Sequence, residues 1–204
     1  SHMTTRITPT PDRVRKRPKQ ARSRAMFDDI LEAAARIIEE EELAAVNTNA
    51  VAEAAGVSIG SLYQYFPNLG AILAELTLRE RGILMDNVNR VALEFDSAPL
   101  EETLLALIEV AVAHQLARPR LARTLDYLED SLHLFDETVQ IGDEIRAAVA
   151  SLLRRYDYPL ADQAAADLVA MSKGMIDAAG RLGETDSKAL SARVARATLG
   201  YLKY

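Results

Sequence analysis

The sequence predicts an all-α protein. The chain of 204 residues contains only 9 Gly and 7 Pro, and its long stretches rich in Ala, Leu, Glu and Arg favour helix. Apolar residues recur at helical spacing, beginning with the series from Phe27 to Ile38. Residues 47–65 predict two short helices joined by a tight turn. The predicted architecture is an N-terminal three-helix domain that contains this helix-turn-helix, a C-terminal helical domain, and a long helix that joins them.

Local signals predict the limits of the first three helices. Ser23 is expected to cap the first helix, which ends in the acidic run at residues 39–42. Asn47 is expected to cap the second helix and Ser58 the third, since both side chains accept a backbone N–H. Gly56 lies at the turn, where the chain needs a residue that tolerates a positive φ. The residues expected to pack these helices together are Phe27, Ile30, Leu31, Ala34, Ile37, Ile38, Val51, Ala52, Ala55, Val57 and Leu62.

A series of further helices is predicted after Pro67, which ends the third helix because it lacks an N–H and restricts Phe66. The next helix is long and its apolar face is assigned to Ile72, Leu73, Leu76, Ile83, Leu84, Val88 and Val91. The expected limits are about Leu69 to Phe95, Pro99 to Ala117, Pro119 to Asp130, Thr138 to Tyr156, Pro159 to Leu182, and Thr185 or Asp186 to the C-terminus.

The outward side of the third helix is predicted to suit DNA. It carries hydroxyls, an amide and little bulk, which fits the major groove. Gln64 is expected to pair bidentately with adenine and Tyr63 to hold a phosphate. Thr48 and Asn49, in the first turn of the second helix, are expected to reach a phosphate as well. The predicted DNA contacts are Arg17, Lys19, Arg22, Arg24, Asn47, Thr48, Asn49, Ser58, Ile59, Gly60, Ser61, Tyr63, Gln64 and Tyr65.

Charge is distributed unevenly along the chain. The net charge of −6 opposes nucleic-acid binding by the chain as a whole. Residues 1–19 form a basic arm with three prolines and no apolar periodicity, and we expect it to be mostly disordered without DNA. The cations before the first helix are Arg6, Arg13, Arg15, Lys16, Arg17, Lys19, Arg22 and Arg24, opposed only by Asp12. This distribution suits a protein that contacts phosphate at one end, although a solvated charged leader has the same composition.

The string AGVSIGSLYQYFPN, at residues 55–68, resembles the helix-turn-helix of TetR-family transcriptional regulators, and the resemblance extends from about Arg22 to about Leu76. It implies that the basic arm at 1–19 is followed by a DNA-binding domain at 20–80 and a helical ligand-binding and dimerisation domain at 81–204. It also implies a homodimeric repressor that a small-molecule effector releases from a palindromic operator. Without the string, two short helices around a glycine are common in all-α proteins and do not indicate DNA binding.

The sequence departs from this family at the start of the long helix. Family members usually continue the motif with Lys and Glu, and that Lys commonly contacts a DNA phosphate, whereas this chain has Leu69 and Gly70. No Lys or Arg occurs between Arg36 and Arg79, so the basic arm is expected to supply the cations. The alternative is a helical protein-interaction module with weak or vestigial DNA binding.

The resemblance assigns two further roles to the C-terminal helices. Helices rich in small residues approach closely, and family members pair through their last two helices in a four-helix bundle. The predicted dimer interface consists of Ala166, Ala170, Gly174, Ala178, Val194, Ala197 and Tyr201. The side chains expected to line an effector pocket are Met85, His114, Tyr127, His133, Phe135, Met171 and Met175, for each of which core packing is the alternative.

Composition argues against several other functions. The absence of Cys excludes disulfides and thiolate metal sites and fits a reducing, cytoplasmic environment. No nucleophile elbow, phosphate-binding glycine loop or metal-ligand spacing occurs, so neither an enzyme nor a cofactor is expected. The longest apolar run, residues 104–113, is too short for a bilayer, and no signal peptide is expected. Residues 1–3 resemble a scar from an expression vector.

Overall fold

The computed structural model describes residues 14–15, 17–41, 43–131 and 135–203, and gives only the backbone for residues 129–131 and 135–139. Within these ranges the chain is helical and has no strand, which confirms the predicted all-α class. The helices are α1 (Ala21–Glu40), α2 (Thr48–Ala54), α3 (Ile59–Tyr65), α4 (Leu69–Glu94), α5 (Leu100–Ala117), α6 (Pro119–Ser131), α7 (Phe135–Arg155), α8 (Ala161–Arg181) and α9 (Ser187–Leu202). A short 3₁₀ turn at Leu43–Ala45 precedes α2.

The chain divides into two compact units, and the boundaries between them fall within α4, α6 and α7. The first unit runs up to Leu78 and also takes in residues 124–136. The second unit comprises residues 79–123 and 137–204. α4 therefore continues from one unit into the other as a single helix.

In the first unit, α1 buries a broad apolar face. α1 packs against α2, and α2 packs against α3. All six residues of the predicted apolar stripe on α1 are buried, and Ala33 and Ala35 are buried as well, so the stripe is wider than predicted. Leu62 of α3 and Phe66 after it are fully enclosed, and the Phe66 ring stacks on Phe27 at 4.7 Å between centroids. Ala55 and Val57 are only half-buried.

Two predicted details of α1 and α4 are wrong. α1 begins at Ala21 with Gln20 in the N-cap position, so Ser23 lies inside the helix, where its hydroxyl donates to the Gln20 carbonyl instead of capping. On α4, Ile83 is exposed although its spacing placed it on the apolar face. The other members of that face are buried or half-buried: Ile72, Leu73, Leu76, Leu84, Val88 and Val91.

The second unit is organised around α5, α8 and α9, which pack against one another. One core cluster joins these three helices through Ile108, Val112, Ile176, Ala179, Leu190, Val194 and Ala195. Another joins α7 to α8 through Val149, Ala150, Leu153, Ala161, Ala164, Ala165 and Leu168. Small side chains on α8 thus contribute to both clusters, since an alanine-rich helix allows its neighbours to approach closely.

The ends of α7, α8 and α9 follow local backbone chemistry. α7 begins at Phe135, three residues before the predicted start. α8 begins at Ala161, because Leu160 before it takes a left-handed conformation with φ of 50°. Gly183 ends α8 with φ of 78°, as predicted. Asp186 caps α9 by accepting the backbone N–H of its first turn at 2.9 Å, which decides between the two predicted caps.

Candidate nucleic-acid interface

The α2–α3 pair is built by the local signals that predicted it. Asn47 caps α2 by accepting two N–H groups of its first turn at 3.0 and 3.1 Å. Gly56 has φ of 67° at the turn, and Ser58 Oγ caps α3 by accepting the Ser61 N–H at 3.0 Å. The Val57 N–H also donates to the Ala52 carbonyl at 3.0 Å. These contacts fix the direction in which α3 leaves the turn.

One side of α3 faces solvent. Ile59, Gly60, Tyr63 and Gln64 are exposed, as is the capping Ser58, and Ser61 is half-buried. A Cβ added to Gly60 would meet only Ser58 Oγ, at 3.8 Å, so the backbone of α3 is open to close approach there. The exposed side carries a phenol, an amide and hydroxyls, which are the groups that hydrogen-bond to base edges and phosphates.

Tyr65 does not belong to this surface, and its assignment as a DNA contact is corrected. The residue is only 8% exposed, and its ring packs edge-on against Phe27 with centroids 6.0 Å apart. Tyr65 follows the fully buried Leu62 by three positions, so both side chains lie on the inner face of α3. The ring therefore holds α3 to α1.

The first turn of α2 meets the exposed side of α3. Thr48 Oγ1 lies 3.2 Å from the Tyr63 hydroxyl, and Asn49 is exposed beside it. Asn47, which was also predicted to contact DNA, uses its amide within the chain: the oxygen caps α2, and the nitrogen donates to the Ala45 carbonyl at 3.3 Å. Thr48 and Tyr63 thus form a hydroxyl pair, whereas Asn47 has a structural role.

The end of the basic arm is attached to the helix-turn-helix. The Arg15 N–H donates to the Tyr65 carbonyl at 2.8 Å, and the Arg15 guanidinium donates to the Tyr63 carbonyl at 3.2 Å. Arg17 forms a two-pronged ion pair with Glu75 of α4, with N–O distances of 3.0 and 3.2 Å. The described part of the segment predicted to be disordered is therefore held in place, because Arg15 and Arg17 find partners on α3 and α4.

The predicted cationic contacts differ in their surroundings. Lys19, just before α1, is exposed, and so are Arg22 and Arg24 at the start of that helix. Arg17 is exposed too, but its guanidinium is held by Glu75. Arg6, Arg13 and Lys16 lie outside the described residues. Arg36 donates to the Ala54 carbonyl at 3.0 Å and so stabilises the C-terminal end of α2.

Sequence reasoning missed the structural roles of Arg15 and Glu75. Arg15 was counted only as one of the arm's cations, and Glu75 lay between the apolar residues of the long helix. One signal was available: Pro67 removes an N–H donor just after α3, which leaves a helix carbonyl in need of another partner.

The predicted dimer residues lie on α8 and α9 of the second unit, and all but one of them are exposed or half-buried. Ala170, Gly174 and Tyr201 are exposed, and Ala166, Ala178 and Ala197 are half-buried. The Tyr201 hydroxyl joins α9 to α8 by donating to Asp167 at 2.6 Å, which raises the pKa of that phenol. Val194 is fully buried in the α5–α8–α9 core, so its assignment to the dimer surface is wrong.

The predicted pocket residues do not form one group. Tyr127 is 70% exposed, which is incompatible with a pocket lining, because a lining residue is enclosed. Met171 packs against the α7–α8 cluster and Met175 against the α5–α8–α9 cluster. Met85 and His114 are half-buried. His133 and the side chain of Phe135 lie outside the described residues.

Gln115 of α5 is a buried polar residue that the sequence did not reveal. It is 4% exposed, and its amide nitrogen has no hydrogen-bond partner within the described part of the chain. Gly180 of α8 makes room for it, because a Cβ there would meet the amide nitrogen at 3.2 Å. An unsatisfied buried donor costs about 1–3 kcal/mol, so this amide is an exception among buried polar groups, which are nearly always hydrogen-bonded.

None of the helices that the structure describes is both long and apolar enough to cross a membrane.

A capped helix-turn-helix with hydroxyl and amide groups on its open side, followed by a helical C-terminal half, is typical of DNA-binding transcriptional regulators. Residues 30–76 match the bacterial regulatory proteins of the tetR family, and residues 99–202 match the tetracyclin repressor-like C-terminal domain. The second match alone covers just over half of the chain. The chain therefore belongs to the TetR family, whose members are non-enzymatic transcription factors.

Solved structures share this fold at low sequence identity. The fatty acid degradation regulator FadR from Bacillus halodurans is 21% identical, with a TM-score of 0.70 over 90% of this chain and 97% of that one. A TetR-family transcriptional regulator from Streptomyces coelicolor is 19% identical, with a TM-score of 0.70 over 89% and 97% of the two chains. A transcriptional regulator from Rhodococcus sp. Rha1 is 18% identical, with a TM-score of 0.71 over 87% and 96%. No curated protein matches the chain significantly.

Proposed function

We propose that the chain is a cytoplasmic, homodimeric repressor that binds a palindromic operator and leaves it when a small-molecule effector binds. The observation that carries the proposal is the exposed side of α3, where Tyr63 and Gln64 stand outward on a helix fixed by the Ser58 cap and the Gly56 turn. Gln64 reads a base through its amide, and Tyr63 with Thr48 holds a phosphate.

A homodimer is supported by the exposed small residues of α8. A Cβ added to Gly174 would meet nothing within 4 Å, and Ala170, one turn earlier, is exposed. An open stripe of this kind allows the same helix of a second copy to pack closely. Two copies related by a two-fold axis place two α3 helices on one duplex, at half-sites about 34–36 Å apart or a multiple of that distance.

Effector control is supported by Gln115 and by the continuity of α4. An effector with a carbonyl or carboxylate acceptor satisfies the buried amide of Gln115, which has no partner in the described chain. α4 runs from the second unit into the first, so a change in its tilt reaches the DNA-binding unit. The loss of DNA affinity is limited by the difference between the effector's affinities for the two conformations of the protein. This coupling free energy is typically about 1–3 kcal/mol per site.

Selection of bound fragments from random DNA tests the proposal, with and without a metabolite extract. We expect a palindromic site to be enriched and the extract to reduce its recovery. Gln64→Ala should change the enriched bases more than the overall affinity, whereas Gln140→Ala, an exposed glutamine on α7, should change neither. Equal loss on all sequences in Gln64→Ala means that Gln64 does not read a base, and no enrichment by the wild-type protein contradicts the DNA-binding proposal.

A further inference from the structure

We propose that Arg15 is a positioning residue for the reading helix α3, and that Glu75 anchors the same stretch of chain through Arg17. The basic arm then has two separable functions: its cations attract DNA, and its last part holds α3 in the orientation that reads DNA. The proposal rests on the proposed DNA interface but concerns a different property of it.

Two carbonyl groups at the end of α3 accept hydrogen bonds from Arg15. In a continuing helix, the Tyr63 carbonyl accepts the N–H of the residue four positions later, which here is Pro67 and has none. The Arg15 guanidinium supplies the missing donor at 3.2 Å. The Tyr65 carbonyl, in the same last turn, accepts the Arg15 backbone N–H at 2.8 Å. A single residue from outside the helix therefore caps two carbonyls of its last turn.

Charge adds to this capping. The C-terminal end of a helix carries partial negative charge, so a guanidinium there is favourable as well as hydrogen-bonded. A charge-assisted hydrogen bond is stronger than a neutral one. Arg15 is exposed, so it costs little desolvation to hold it in this position.

Two residues after Arg15, an ion pair anchors the chain to α4. Arg17 binds both oxygens of Glu75 at 3.0 and 3.2 Å, and the Glu75 side chain is only 13% exposed. Such a two-pronged pair restrains the direction of the guanidinium as well as its distance. Arg15 therefore binds the end of α3, and Arg17 binds the early part of α4.

The position of these contacts links them to DNA reading. Tyr63 contributes its carbonyl to Arg15 and its hydroxyl to Thr48, and Gln64 lies between the two capped carbonyls. Fraying of the last turn moves both side chains that face outward there. Loss of Arg15 is therefore expected to weaken sequence preference, which removal of a simple phosphate contact leaves unchanged.

The test compares Arg15→Met with Lys19→Met, an exposed arm cation, in the full chain. Hydrogen exchange in the DNA-free protein should quicken at the amides of residues 62–66 in Arg15→Met by about three- to tenfold, and stay unchanged in Lys19→Met. Arg15→Met should bind the selected DNA about five- to tenfold more weakly, with a flatter sequence preference and an unchanged salt slope. Lys19→Met should instead reduce the salt slope by about 0.9, because one phosphate is no longer neutralised by a cation of the arm.

Either of two results for Arg15→Met overturns the positioning role of Arg15. One is unchanged hydrogen exchange at residues 62–66. The other is a reduced salt slope with intact sequence preference, which would make Arg15 a phosphate contact. The exchange measurement needs no DNA, so it decides this point even if the wild-type protein selects no sequence and the proposed function fails.

Glu75→Gln tests the anchor with a side chain of the same shape. We expect faster hydrogen exchange at residues 62–66 and about two- to fivefold weaker DNA binding. Electrostatics alone would give the opposite result, because the substitution removes a negative charge that repels phosphate. Tighter binding with unchanged exchange contradicts the anchor, because Glu75 then only competes with phosphate for Arg17.

Discussion

The hydroxyl oxygens of Thr48 and Tyr63 lie 3.2 Å apart and join the first turn of α2 to the exposed side of α3. A tyrosine at the surface otherwise samples several rotamers, so this bond reduces the entropy that Tyr63 loses on binding DNA. The two residues are separated by 15 positions in the chain, and only the turn at Gly56 brings them together.

Tyr63→Phe should weaken binding to all DNA sequences by about three- to tenfold, because it removes one hydrogen bond to phosphate. Thr48→Val should have a similar but smaller effect. In a double-mutant cycle measured by DNA titration, the two effects should not add, since the residues share a bond. Tyr156→Phe is the matched control. Tyr156 is as exposed as Tyr63 but lies in the second unit, where its hydroxyl donates to the Ala98 carbonyl of the same unit. Full additivity of the two changes contradicts the coupling.

Tyr65→Ala should lower the free energy of unfolding by about 3–5 kcal/mol, the range for truncating a buried aromatic side chain. Tyr65→Phe keeps the ring against Phe27 and should cost less than about 1 kcal/mol. Denaturant unfolding measures both. Operator binding by folded Tyr65→Phe should equal that of the wild type; a clear loss restores Tyr65 as a DNA contact.

Gly174→Leu should disrupt the proposed homodimer while leaving the single chain stable. Leucine favours helix over glycine by up to about 1 kcal/mol, and the space around Gly174 is open in the chain itself. Light scattering should give about twice 22.4 kDa for the wild type and a lower mass for the variant. Gly82→Leu, on α4, also meets no neighbour and should remain dimeric. A dimeric Gly174→Leu assigns the interface to another surface.

Glu184→Gln should reduce stability at neutral pH and leave it unchanged in acid. The backbone N–H of Asp186 and then the guanidinium of Arg193 hold the pKa of Glu184 below its ordinary value of 4.5. A lowered pKa stabilises the fold above the unfolded pKa, and this contribution is lost as the pH falls through the folded pKa. Thermal unfolding across this range should show the two proteins converging in acid. A constant difference at every pH contradicts this role of the carboxylate.

Features that depend on a few neighbouring residues were predictable from the sequence. Asn47 and Ser58 cap the helices they precede, and Gly56 takes the positive φ that its place in the turn requires. Each of these outcomes is decided within four or five residues, where propensity and local hydrogen bonding dominate.

Features that depend on how one helix packs against another could not be predicted in this way. Tyr65 and Val194 are inward because Phe27 and the α5–α8–α9 core lie beside them, and helical spacing alone does not say which side is covered. Ser23 is a good N-cap residue that sits inside a helix, because α1 begins before it. Contacts between distant segments, such as Arg15 with Tyr65, leave no periodic signal.

The attachment of Arg15 to α3 also bears on how DNA-binding heads are exchanged between regulators. The family match begins at residue 30, and α1 begins at Ala21, so a chimera cut at either point leaves Arg15 and Arg17 behind. Its grafted head then has two carbonyls at the end of α3 that depend on whatever sequence the host happens to provide. A graft that starts before Val14 carries its own cap with it.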